Sequence, residues 1–141
     1  MTLIDFKIEH FDQLEFEESA HLRRSRRNEY AQLPTRGSAF TLWSDGPVAC
    51  GGVAVHWPGV GELWMLRGSC ASDHPVSMVK AARGVVEDAV TRFNLHRIQA
   101  AVEEQDRRAL MFIESLGFVF EGRLRAYGPG KEDHLMFARV S

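Results

Sequence analysis

The side chains from which chemistry could be built are few in this sequence, and their spacing limits what they can do. Six histidines stand at positions 10, 21, 56, 74, 96 and 134. None shows a spacing such as His-x-x-x-His, which would set two imidazoles on one helix face as metal ligands, so no metal site is expected. Cys50 and Cys70 are isolated, with no Cys-x-x-Cys spacing, and make neither a disulfide framework nor a zinc site. They read as small buried residues in a reducing compartment. The run Arg23, Arg24, Arg26, Arg27 could take a phosphate or an acidic partner. Glu15, Glu17, Glu18 and Glu29 flank it, and i,i+4 pairing on a solvated helix accounts for it equally well. Trp43, Trp57 and Trp64 fall on successive strand candidates. They read as a core or interface cluster, with an aromatic ligand wall as the alternative.

Hydrophobic periodicity places these residues on elements. Leu3 to Ile8 alternates and reads as a strand, and Phe11 to about Ala31 reads as a helix, with Phe16, Ala20, Arg27 and Tyr30 weakly periodic, ended by Pro34. Ala39–Trp43 and Val48–Trp57 form a hairpin around Ser44-Asp45-Gly46-Pro47. Gly51 and Gly52 within the second strand suggest a bulge or a close backbone approach. After Pro58-Gly59, Glu62–Arg67 is a third strand of the meander. Val76–Phe93 is a helix with Val79, Ala82, Val86, Ala89 or Val90, and Phe93 on one face. Ser72 or Asp73 would cap it, and Pro75 sits in its first turn. His96–Val102 is a strand. Asp106 caps a helix with core face Ala109, Phe112, Ile113 and Leu116, stopped by Gly117. Phe118–Tyr127 and His134–Val140 are closing strands around Gly128-Pro129-Gly130. This order predicts one domain with a largely antiparallel sheet.

Composition narrows the function classes. The 141 residues fit one domain, 45% are hydrophobic and the net charge is -2, which gives no long-range attraction to nucleic acid or anionic lipid. No apolar run approaches the ~20 residues of a membrane span, and MTLIDFKIEH lacks a basic start followed by an apolar run. A cytoplasmic protein, or one working inside a cell or particle, is expected.

The stretch HRIQAAVEEQDRRALMFIESLGFVFEGRLRAYGPGKEDHLMFARV resembles the C-terminal half of GNAT acyltransferases. Its most specific part is ALMFIESLGF, Ala109 to Phe118, which is similar to the family's helix ending in aromatic-x-x-x-Leu-Gly-Phe. EGRLRAY, Glu121 to Tyr127, resembles the strand that follows. The pieces GSAFTLWSDGPVACGGVAVHWPGVGELWML and HRIQAAV…LGF…EGRLRAYGPGKED…ARV also resemble small GNAT-like proteins of tailed phages and prophages, some of them virion proteins.

The resemblance implies an α+β, α/β/α layered fold. Its mixed, mostly antiparallel sheet would have six or seven strands and three or four helices, splayed between the fourth and fifth strands. Acetyl-CoA would lie in that cleft as co-substrate, and an amine on a small molecule or protein would accept the acetyl group. Met65, Leu66 and Arg67 on the fourth strand would meet the pantetheine arm. Ser69, Ser72, Asp73, His74 and Ser77 would surround the diphosphate at the next helix N-terminus, where unpaired N–H groups attract anions. Asp106 would face the cofactor where many relatives have Asn. Glu62 or His56, with Glu103 and Glu104 as further candidates, would take a proton from the amine, and Tyr127 would return one to the leaving thiolate.

Three features depart from the family pattern. The phosphate signature Arg/Gln-x-x-Gly-x-Gly/Ala has no clean copy, Arg67-Gly68-Ser69-Cys70-Ala71-Ser72 being a loose analogue. Asp73 would compete for the helix amides, and Pro75 has no N–H. Ile113 stands where many relatives have a proton-donating Tyr. These departures, with the phage resemblance, define an alternative: a non-catalytic module with virion proteins or further copies of itself as partners.

Overall fold

The computed structural model describes residues 1–15 and 26–141. β1 (Thr2–Asp5) leads to α1 (Ile8–Gln13). Then come α2 (Arg27–Gln32), a 3-10 turn (Leu33–Thr35), and the meander β2 (Phe40–Trp43), β3 (Pro47–Trp57) and β4 (Val60–Arg67). A second 3-10 turn (Ala71–Asp73) precedes α3 (Pro75–Phe93), followed by β5 (Arg97–Glu103), α4 (Arg107–Ser115), β6 (Val119–Leu124) and β7 (His134–Val140). The seven strands form one sheet in the order β1-β2-β3-β4-β5-β7-β6. Every neighbouring pair is antiparallel except β4 and β5. The mixed sheet of six or seven strands expected from the resemblance is therefore present, with seven strands and four described helices.

Strand alternation explains the layering, because successive side chains point to opposite faces. On one face, Cys50 and Leu66 join Phe6, Phe11 and Leu14, with Ile8, Tyr30 and Trp64 packed against them. On the other, Val53, Ile98, Ala100 and Phe137 bury Val85, Val86 and Ala89 of α3 and Ile113 and Leu116 of α4. Burying each large apolar side chain contributes about 1.5–3 kcal/mol. The face expected on α3 omitted Met78 and Val85, which are buried, and correctly included Val86 and Ala89.

The N-terminal region departs from the sequence-based expectation. The strand expected over Leu3–Ile8 ends at Asp5, and Ile8 opens α1. Ile8 and Phe11 are three residues apart, so helical winding turns both to the core, whereas a strand would place them on opposite faces. The single helix expected from Phe11 to Ala31 does not form. α1 stops at Gln13, Leu14 is extended (φ -67, ψ 130) and α2 begins at Arg27. Phe16, Glu17, Glu18, Ala20, Arg23 and Arg24 lie outside the described residues. Arg26 pairs with Glu29 at i,i+3, and Arg27 forks onto Asp12 at 2.6 and 2.7 Å.

Of three other expectations, the close backbone approach is met and two need correction in part. Gly52 marks a close approach, since a Cβ there would meet the Ser38 carbonyl, while the register shifts of β3 lie at its two ends. The tryptophans cluster only in part: Trp57 is 62% exposed and stands apart, while Trp43 and Trp64 join one aromatic group through His10 and Phe6, whose rings meet edge to face. Cys70 is exposed, whereas Cys50 is buried and its thiol is pushed up to about 11 by that burial. No described helix is long and apolar enough to cross a membrane.

Candidate active site

β4 and β5 pair only from Val60 to Glu62, opposite Arg97 to Gln99. Beyond that rung the strands separate. The open edge of β4 over residues 63–67 then faces a cleft of about 730 Å³ rather than a neighbouring strand. Gly61 permits the close pairing before the split, because a Cβ there would lie 2.7 Å from Val53 Cγ1 and 3.0 Å from Leu95 Cδ1. α2, α3, the start of α4 and the β6–β7 turn complete the walls.

At the apex of the split stands Glu62. Its Oε1 accepts from Gln99 Nε2 at 3.1 Å and lies 3.3 Å from His56 Nε2. An ionised carboxylate only accepts, so the imidazole donates from Nε2. Gln99 Oε1 in turn accepts from Arg97 Nε at 3.1 Å, and Arg97 forks onto Glu121 at 3.0 and 2.6 Å. That paired hydrogen bond raises the Arg97 pKa and lowers that of Glu121. The polar chain therefore crosses from β3 to β6. Nearby on the floor, Trp64 Nε1 is buried with no hydrogen-bond partner among the described residues.

The mouth of the cleft is built differently. Arg67, the last residue of β4, donates to Asp106 Oδ2 at 2.6 Å across the gap. Asp106 Oδ1 also accepts from Ala109 N at 3.1 Å, so it caps α4 as expected. The N-cap expected of Ser72 or Asp73 is not formed. Asp73 belongs to the 3-10 turn, and His74 is the N-cap of α3 without a side-chain capping bond. The 3-10 turn and the adjoining backbone also engage most of the loop's amides. Gly68 donates to Val48, Ser69 to Glu15, Ala71 to Gly68, Asp73 to Cys70 and His74 to Ala71. Pro75, at N1, has no N–H. Among the described residues, the amides of Cys70, Ser72, Val76 and Ser77 have no such backbone bond.

Of the residues singled out from the sequence, Glu62, His56, Tyr127, Met65, Arg67 and Asp106 all line this one cleft. Leu66 is on its strand, but its side chain is buried away from the cleft beside Phe11 and Cys50. Ser69, Ser72, Asp73, His74 and Ser77 do not line it. Tyr127 is not on the sixth strand as expected. β6 ends at Leu124, Ala126 takes φ 51, and Tyr127 sits 54% exposed on the turn with its ring edge against His134. Glu103 ends β5 and lines the cleft, while Glu104 pairs with Arg123. Ile113 is 3% exposed and belongs to the core. Among the described residues, no group of three His, Cys, Asp or Glu is gathered to hold a metal.

Sequence reasoning missed Gln99, Arg97 and Glu121. The available signal was that Arg97 and Gln99 are polar at alternate positions of an otherwise apolar strand, and so share a face.

The surroundings suit an acyl-CoA arm better than its diphosphate. A cleft of this size is in the usual range for a small-molecule site, and an unpaired strand edge offers amides and carbonyls to the arm. Among the described residues, four loop amides remain open to phosphates, while Arg67 is engaged by Asp106.

No family model and no curated protein matches the chain significantly. Solved structures do. A GNAT-family acetyltransferase from Bacillus anthracis superposes with TM-score 0.75 at 14% identity, covering 98% of this chain and 93% of that one. A ribosomal-protein-alanine N-acetyltransferase from Brucella melitensis gives 0.74 at 14% identity, with 100% of both chains covered. A mutant spermidine N-acetyltransferase from Vibrio cholerae gives 0.71 at 14% identity, over 99% and 95%. The phage resemblance receives no support from these comparisons. From end to end, the chain is built on the fold of the GNAT acetyltransferases.

Proposed function

We propose that the chain is an N-acetyltransferase that moves an acetyl group from acetyl-CoA to an amine by direct attack in the cleft between β4 and β5. One observation carries this reading: a carboxylate held by two donors, Glu62, stands where the strands part, beside an open strand edge. The thioester supplies an activated acetyl group with a good leaving thiolate. Glu62 takes the proton from the attacking ammonium or amine and later releases it to solvent, while His56, donating to Oε1, helps hold the carboxylate in place. Backbone N–H groups of the open β4 edge stabilise the developing oxyanion. Tyr127 at the cleft rim protonates the departing thiolate, a role Ile113 cannot fill. Arg67 and the amides of Cys70, Ser72, Val76 and Ser77 meet the diphosphate.

The amine classes to test first are those in the names of similar structures: a peptide with N-terminal alanine, and spermidine. The experiment is calorimetry with acetyl-CoA, followed by thiol-release assays across that panel. Binding at micromolar to sub-millimolar concentration and amine-dependent thiol release are expected. No binding at millimolar acetyl-CoA sinks the proposal.

A further inference from the structure

The polar chain behind Glu62 reaches three residues that do not line the cleft: Gln99, Arg97 and Glu121. Its direction is fixed by chemistry rather than by the choice of amide orientation. Arg97 can only donate, so the Gln99 atom facing Arg97 must be the carbonyl oxygen. An ionised Glu62 can only accept, so the Gln99 atom facing it must be the NH₂. Both contacts are present, at 3.1 Å and 3.1 Å. Parallel pairing sets Glu62 beside Gln99 on the last rung before the strands part. Arg97 lies two residues back on the same face of β5. Glu121 falls at the register shift of β6 between Phe120 and Gly122, and such a shift re-aims a side chain. Here it is aimed at Arg97, which it holds by two hydrogen bonds of 3.0 and 2.6 Å.

We infer that Gln99 is a positioning residue for Glu62, itself oriented by the Arg97–Glu121 pair. This rests on the transferase reading of the cleft. Gln99 Nε2 and His56 Nε2 both meet Oε1, and no hydrogen bond to Oε2 is formed among the described residues. Oε2 is thus the oxygen left for the amine proton. Without Gln99 the carboxylate turns about its own side-chain torsions, and the amine meets a base in the wrong place. Gln99 touches neither substrate, so its loss acts on turnover and not on acceptor binding.

The test measures steady-state kinetics with acetyl-CoA and the panel amine that gives turnover. Gln99→Leu is expected to lower kcat about tenfold with the acceptor KM within about twofold, the pattern of a misplaced group rather than a lost binding contact. Glu121→Gln weakens the chain from the exposed far end, where folding is not at risk, and is expected to lower kcat about two- to threefold with KM unchanged. The exchange Glu62→Gln with Gln99→Glu keeps one amide–carboxylate hydrogen bond but moves the charge to β5. It is expected to recover the thermal stability that Gln99→Glu alone loses, without recovering turnover. If Gln99→Leu and Glu121→Gln both match wild-type kcat, the positioning role is wrong and the transferase reading stands. If the KM rises while kcat holds, Gln99 is a binding residue and the inference also fails. If wild type turns over none of the amines, the transferase reading fails and this role fails with it.

Discussion

The apex and the mouth of the cleft are made of similar residue types and behave as opposites. At the apex, a carboxylate, an imidazole, an amide and a guanidinium are linked so that one oxygen of Glu62 is held and the other left open. At the mouth, a carboxylate and a guanidinium hold each other across the gap, and five of the neighbouring amides are engaged by the backbone. One end leaves an acceptor open, the other is largely ordered within itself. A polar group helps a ligand only where its native partners leave a donor or acceptor unfilled.

The sharpest way to break this contrast is Glu62→Gln. If the apex holds the base, turnover falls by about 10²–10⁴ while acetyl-CoA affinity, measured by calorimetry, is unchanged. A loss confined to affinity would place the chemistry elsewhere. Asp106 probes the mouth with a smaller effect. Asp106→Asn keeps an acceptor for Ala109 N and frees Arg67, so CoA affinity is expected to rise about fivefold, or about 1 kcal/mol. Asp106→Ala frees Arg67 too but removes the cap, so it also costs about 1 kcal/mol of folding stability in denaturant titrations. Pro75→Ala returns one N–H to the start of α3, and CoA is expected to bind about two- to threefold more tightly, as suits one more amide at a helix N-terminus.

The smallest effect separates the cleft from the packing beneath it. His10 is buried, its Nδ1 lying 2.8 Å from Thr41 Oγ1, and burial, followed by the charge of Lys7, lowers its pKa. The unfolded state then takes up a proton before the folded state does. Stability is complete above about pH 6.5 and declines as pH falls from there toward the lowered folded value. His10→Asn should flatten that slope in thermal melts at pH 5 to 7 while leaving CoA binding at pH 8 unchanged. A change in CoA binding would show that this layer reaches the cleft.

The fold was largely legible because its signals are local. The Ser44-Asp45-Gly46-Pro47 turn, the apolar face around Ile113 and Leu116, and Gly117 at φ 84 each act within a few residues. Where local signals conflicted, the reading failed. Leu3–Ile8 alternates like a strand, yet Ile8 also matches Phe11 at helical spacing, and core contact decided between them. The ends of elements were misjudged for the same reason, as with Tyr127, which leaves β6 because Ala126 turns the chain. Glu62, His56, Arg67 and Asp106 were legible as cleft residues only through the resemblance, which mapped the family's cleft onto these positions. Gln99 was not, because an amide inside a strand has no chemistry until its neighbours are known.

By itself, then, the sequence determined most of the order of elements, since periodicity, turns and caps depend on neighbours along the chain, while the strand pair that parts was an expectation from the family resemblance alone. The tertiary structure alone decided which donors and acceptors remain open. Gln99 meets Glu62 across 37 positions and Arg67 meets Asp106 across 39. Such pairings are set by how the sheet parts and where α4 begins, so the same carboxylate type is held ready at one end of the cleft and engaged at the other.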